Sequence, residues 1–177
     1  MIIPKKLKKG DTIGVVAPSN PIIGENIEEL EKAKKMLERD GYKVVFSKNI
    51  FSNANEYSAT AKEKADDINE MFANKDIDMI WCAKGGENSN SVFDYLDFEI
   101  IKNNPKIIAG FSDITSIINV IANKTGLVTF SATNFKTVAT DETDYSYKQA
   151  IARISGENAT FDVAKKDCYK TIKEGTA

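Results

Sequence analysis

At 177 residues, with 42% apolar and 28% charged, the chain has the composition of a globular protein and enough length to bury one real core. Its formal net charge of -2 leaves no basic surplus to neutralise phosphates or hold an anionic lipid surface, so neither nucleic acid nor a membrane is expected as a partner. No apolar run approaches the roughly 20 residues of a membrane span, and the opening MIIPKKLKKGD lacks the apolar stretch of a secretory signal; a cytoplasmic protein is expected.

Thr12 to Ala17 is a short apolar run stopped by Pro18-Ser19-Asn20-Pro21, which predicts a buried strand with a loop at its carboxyl end. From Asn26 to Asp40 the positions Ile27, Leu30, Ala33, Met36 and Leu37 recur at helical spacing, and Gly41 follows as a stop. Tyr42 to Ser47 reads as a second strand, and Ala61 to Ala73 as a helix with Ala65, Ile68, Met71 and Phe72 on one face. Ile77 to Ala83 is a third strand running into Gly85-Gly86, and Ser91 to Asn103 has helical periodicity before Pro105. Lys106 to Ala109 is a fourth strand entering the turn Gly110-Phe111-Ser112-Asp113, after which Ile114, Ile117, Ile118 and Ile121 mark a helix up to Gly126. Leu127 to Phe130 is expected as a fifth strand, Tyr145 to Ile154 as a helix, and Ala159 to Val163 and Cys168 to Ile172 as further strands.

Short apolar strands alternating with amphipathic helices predict an α/β fold: a mostly parallel, Rossmann-like sheet covered by helices on both faces. The expected division is an α/β domain over residues 1–155, followed at 156–177 by a linker and the start of a second domain.

Histidine is absent from the sequence, which removes both the commonest general base and the commonest zinc ligand. Cys82 and Cys168 lack CxxC spacing and read as free thiols. Neither a dinucleotide fingerprint nor a phosphate-binding loop is present, so no metal or cofactor is expected.

In open α/β sheets ligands bind beyond the carboxyl ends of the strands, where Ala17-Pro18-Ser19, Lys84-Gly85-Gly86 and Gly110-Phe111-Ser112-Asp113 should converge. A serine on a sharp turn between strand and helix presents its hydroxyl above the sheet edge, close to a helix N-terminus that favours negative charge. Ser112 is therefore a candidate nucleophile. The alternative is that Ser112 or Asp113 only caps the helix, because Ile114 stands where a G-x-S-x-G elbow has its second glycine. Gly85 and Gly86 allow positive φ and close backbone approach, so their N–H groups could join that of Asp113 in an oxyanion hole, or could simply make a turn.

Pro4 to Ser19 (PKKLKKGDTIGVVAPS), Gly85 to Asn90 (GGENSN) and Pro105 to Thr115 (PKIIAGFSDIT) together resemble the LD-carboxypeptidase family, nearest to its microcin C immunity branch. The resemblance runs in register to about Thr137. It implies an amino-terminal domain like that of the class I glutamine amidotransferases, within a two-domain, often dimeric cytoplasmic serine peptidase that uses a Ser-Glu-His triad without metal. Substrates implied are murein peptides, cut at an LD bond, or peptidyl-nucleotide amides. By that likeness Ser112 is the nucleophile, the backbone N–H groups of Asp113, Gly85 and Gly86 hold the oxyanion, and Ser19 and Asn88 contact substrate.

Two departures bear on activity. Family members usually read TFHGPNF or TFYGPNF where this chain has Thr129-Phe130-Ser131-Ala132-Thr133-Asn134-Phe135. The family's triad glutamate and histidine lie in a carboxyl-terminal domain, and no residue here takes either role. The expectation is half of a hydrolase that is inactive by itself; the alternative is a catalytically silent peptide-binding or vestigial module.

Overall fold

Five parallel strands carry the molecule in the order β2-β1-β3-β4-β5, with β1 at Thr12–Val16, β2 at Lys43–Phe46, β3 at Met79–Cys82, β4 at Ile107–Gly110 and β5 at Phe130–Ser131. The computed structural model describes residues 1–54, 58–140 and 145–157. The six α-helices among them are α1 (Glu25–Arg39), α2 (Ala61–Ala73), α3 (Phe98–Asn103), α4 (Thr115–Thr125), α5 (Thr137–Thr140) and α6 (Tyr145–Ser155). The chain leaves β1 for β2 on one side and returns to β3 on the other, so the strand order reverses between β1 and β3. In doubly wound sheets that reversal opens the ligand-binding crevice at the carboxyl ends of the strands.

Because side chains alternate along a strand, a sheet covered on both faces needs apolar residues at every position. Strand β3 shows this directly. Met79 and Trp81 pack with Leu30, Ala33 and Leu37 of α1 and Ala150 and Ile154 of α6, whereas Ile80 and Cys82 pack with Ile68 and Phe72 of α2 and Ile117 and Ile121 of α4. Each fully buried Ile or Phe contributes about 1.5–3 kcal/mol. Burial also pushes the Cys82 thiol up to about 12, which keeps it unreactive.

Helix α2 begins with a capping box, in which the Thr60 hydroxyl accepts from the Glu63 N–H while the Glu63 carboxylate accepts from the Thr60 N–H. Helix α4 ends at Gly126, whose φ of 75° gives the left-handed turn that stops it.

Two expectations are corrected. The helix expected over Ser91–Asn103 is a 3₁₀ segment, Ser89–Tyr95, followed by α3, because the Asp97 carboxylate accepts from the Ile100 N–H and restarts the helix there. The fifth strand lies at Phe130–Ser131; Leu127 pairs instead with Ile2 in an isolated bridge. The short helix α5 was not expected. The strands expected within 159–163 and 168–172 lie outside the described residues.

Candidate active site

The turn from β4 into α4 carries the clearest chemical signature. Ser112 has φ of 64°, in the left-handed region that side chains rarely adopt. Phe111 before it is extended, at φ -147° and ψ -177°, so the chain reverses sharply at Ser112 and lifts it above the end of β4. This is the strained strand-to-helix geometry of a nucleophile elbow. The first glycine of the elbow is required by close packing, since a methyl on Gly110 would lie 2.7 Å from Ile114.

Serines crowd this region, and nearly all are engaged. The Ser19 hydroxyl donates to the Asp113 carboxylate at 2.5 Å, and the Ser58 hydroxyl donates to the Ser19 carbonyl at 2.8 Å. Ser89 and Ser116 hydroxyls both donate to the Asp113 carbonyl, at 2.7 and 2.9 Å. Among the described residues, Ser112 is exposed and no group is hydrogen-bonded to its hydroxyl. It is thus left available for an incoming ligand.

Gly85 faces this hydroxyl. A methyl on Gly85 would stand 3.3 Å from Ser112 Cβ and 3.5 Å from its Oγ. Gly86 is tighter still, because a methyl there would lie 2.5 Å from Ser19 Oγ and overlap the Asn20 carboxamide. Neither glycine has positive φ, contrary to one reason given for them; close approach is what requires both. The Glu87 N–H donates to Asn20 Oδ1 at 3.3 Å and ties the turn to the loop after β1.

The Asp113 carboxylate joins all three loops. It accepts from Ser19 Oγ of the loop after β1 and, at 2.9 Å, from the Ser89 N–H of the loop after β3. Burial alone would raise its pKa, but hydrogen bonds from Ser19, from the Ser89 backbone and side chain and from the Asn88 backbone outweigh burial and hold it below the usual carboxylate value.

The two residues expected to contact substrate, Ser19 and Asn88, both lie beside this turn. Ser19 is fully buried and its hydroxyl donates to Asp113, so this side chain braces two loops. Asn88 is half-buried, and its Oδ1 accepts from Lys64 Nζ at 2.9 Å.

The altered loop after β5 retains its Asn134-Phe135 pair. Asn134 Oδ1 accepts from the Phe111 N–H at 3.1 Å, and Phe135 is fully buried edge-on to Trp81. The Trp81 indole N–H donates to the Thr133 carbonyl at 2.7 Å. The loop thereby holds the elbow from the β5 side without the glycine and proline. Beside it lies a cavity of about 820 Å³ lined by Phe111, Phe130, Ala132, Gln149 and Ile154 among others, with Phe111 half-exposed at its edge. Sequence reasoning missed Lys64 and the tie from Asn134 to Phe111.

The family model for the LD-carboxypeptidase N-terminal domain, Peptidase_S66, matches residues 13–132. The chain belongs to the LD-carboxypeptidase family. Its putative carboxypeptidase YocD of Bacillus subtilis is 41% identical to the chain over 135 residues, 76% of this chain and 41% of that protein. The probable murein peptide carboxypeptidase of the same organism is 35% identical over 151 residues, 82% of this chain and 46% of that protein. The solved structure of the microcin C7 self-immunity protein MccF in complex with aspartyl sulfamoyl adenosine superimposes with a TM-score of 0.84 at 33% identity, over 90% of this chain and 48% of that one; MccF is represented among the sequence relatives by the Escherichia coli protein. The chain spans less than half the length of these LD-carboxypeptidase relatives. No helix among the described residues is long and apolar enough to cross a membrane.

Proposed function

We propose that this chain carries the nucleophile and oxyanion-binding half of a cytoplasmic serine carboxypeptidase, and that residues 1–155 form its nucleophile-bearing domain, with 156–177 leading into a second. The observation that carries this reading is the Ser112 elbow, with positive φ and an uncommitted hydroxyl facing Gly85 at the end of β4. In the step we assign, Ser112 Oγ bonds to the scissile carbonyl carbon and loses its proton to a general base. The carbonyl oxygen becomes an oxyanion held by the N–H groups of Asp113, Gly85 and Gly86. The C–N bond then breaks, the proton passes to the departing amine, and water releases the acyl group from Ser112.

The substrate is a small peptide with a terminal D-amino acid, as in murein tetrapeptides, or a peptidyl-nucleotide amide like microcin C. The names of the murein peptide carboxypeptidase and of MccF bound to aspartyl sulfamoyl adenosine support these two classes. Asn88 offers its amide nitrogen to a substrate carbonyl, and Phe111 offers an apolar surface at the mouth of the neighbouring cavity. A homodimer follows from the family likeness. The general base is a histidine supported by a glutamate, and with no histidine in its 177 residues the chain does not supply that base.

Titration of ¹⁵N-labelled chain with a murein tetrapeptide tests the site. Saturable shifts at Gly85, Gly86, Phe111 and Ser112 are expected; the absence of shifts there with both the tetrapeptide and a peptidyl-adenylate analogue would overturn the proposal.

A further inference from the structure

Lys64 is an unusual residue for its position. It lies near the N-terminus of α2, where the helix dipole disfavours a cation, and it is only 4% exposed. Burial of an ammonium group is costly, and among the described residues no carboxylate lies within ion-pair distance of it. Simple packing would be served by an apolar residue, as at Ile68 and Phe72 one and two turns along the same helix.

The contact that Lys64 makes is specific. Its Nζ donates to Asn88 Oδ1 at 2.9 Å, while the N–H of the next residue, Ser89, donates to the Asp113 carboxylate at 2.9 Å. Consecutive residues are thus pinned between a buried cation and the anion adjoining Ser112. The segment from Gly85 to Ser89 is only a few residues long and is also tied through Glu87 to Asn20. Fixing its far end fixes where Gly85 stands against Ser112. The lysine charge also offsets that of Asp113, which would otherwise oppose negative charge developing at Ser112; burial lowers the Lys64 pKa while the charge of Asp113 raises it.

We propose that Lys64 is a positioning residue of the acyl-transfer site, holding the Gly85-Gly86 turn in register with Ser112 through Asn88 and opposite Asp113. The inference rests on the reading of Ser112 as nucleophile.

The test uses the full 177-residue chain with p-nitrophenyl acetate as acyl donor and imidazole as the dissolved base. Acetyl transfer forms a Ser112 Oγ–acetyl bond, releases p-nitrophenolate and gives the hydroxyl proton to imidazole. Lys64→Met is expected to slow Ser112 acetylation about tenfold or more, the order expected for small misplacements of catalytic groups, with circular dichroism unchanged. Lys64→Arg should restore part of the rate, and Asn88→Ala should reproduce the loss without adding to that of Lys64→Met. Lys64→Met reacting at the wild-type rate would overturn the inference.

If wild-type Ser112 itself does not react, the nucleophile reading fails separately. The Gly85 and Gly86 amide resonances then decide whether Lys64 positions the turn. Displacement in Lys64→Met with recovery in Lys64→Arg supports it, and unchanged resonances in Lys64→Met overturn it. These resonances also decide if Lys64→Met is too unstable to assay, with Asn88→Ala as the substitute: displacement supports the inference and unchanged resonances overturn it.

Discussion

Ser19 and Asp113, 94 residues apart in sequence, meet in a 2.5 Å hydrogen bond that fastens the loop after β1 to the elbow after β4. Asp113→Ala leaves the buried Ser19 hydroxyl and the Ser89 N–H without their acceptor. It should destabilise the chain by about 1–3 kcal/mol in urea denaturation at neutral pH.

The same contact sets an acid dependence. The folded-state pKa of Asp113 is lowered, so its stabilising contribution is complete above the unfolded value of about 3.9 and is lost as pH falls through the lower folded value. The stability gap between wild type and Asp113→Asn, measured by denaturation from pH 6 downward, should shrink below about pH 4.

At Ser112 the backbone and the hydroxyl can be separated. Ser112→Ala removes the oxygen but keeps a Cβ at φ 64°, whereas Ser112→Gly removes both. The glycine variant should be the more stable of the two by about 1 kcal/mol. Equal thermal midpoints would argue against strain at the elbow.

Gly86→Ala places a methyl against Ser19 Oγ and the Asn20 carboxamide, and should cost about 1–3 kcal/mol. Gly85→Ala meets Ser112 at 3.3 Å and should cost less in stability while hindering ligand access to Ser112. Parallel denaturation and tetrapeptide titration of the two variants check this order.

Without the base, the chain should release D-alanine from a murein tetrapeptide at a negligible rate. Loss of the serine or histidine of a catalytic triad costs roughly a million-fold in kcat in the subtilisin case. Ser112-dependent D-alanine release by the pure chain, assayed with a D-amino acid oxidase, would contradict this.

The sheet was legible because strands buried on both faces, such as Met79 to Ala83, stand out as continuous apolar runs, and Ala61 to Ala73 matches α2 residue for residue. β5 was misplaced because apolar Leu127 is recruited by Ile2, a contact made across the whole domain. In the site, Ser112 was visible from the turn between β4 and α4, but its positive φ was not, since a left-handed serine looks in sequence like any other. Lys64 was hidden among the charges of Ala61-Lys62-Glu63-Lys64, although it stands four and eight residues before Ile68 and Phe72, on the buried face of α2. The engagement of Ser19 was invisible because its partner lies so far along the chain.

The most direct measurement of the central claim is the site of acetylation. The chain is treated with p-nitrophenyl acetate and imidazole, digested and mapped by mass spectrometry, with Ser112→Ala alongside. Acetyl on Ser112 ahead of Ser19, Ser58, Ser89 and Ser116, and absent from the variant, is the predicted result. Acetylation spread over exposed hydroxyl and amino groups with no preference for Ser112 would contradict the account.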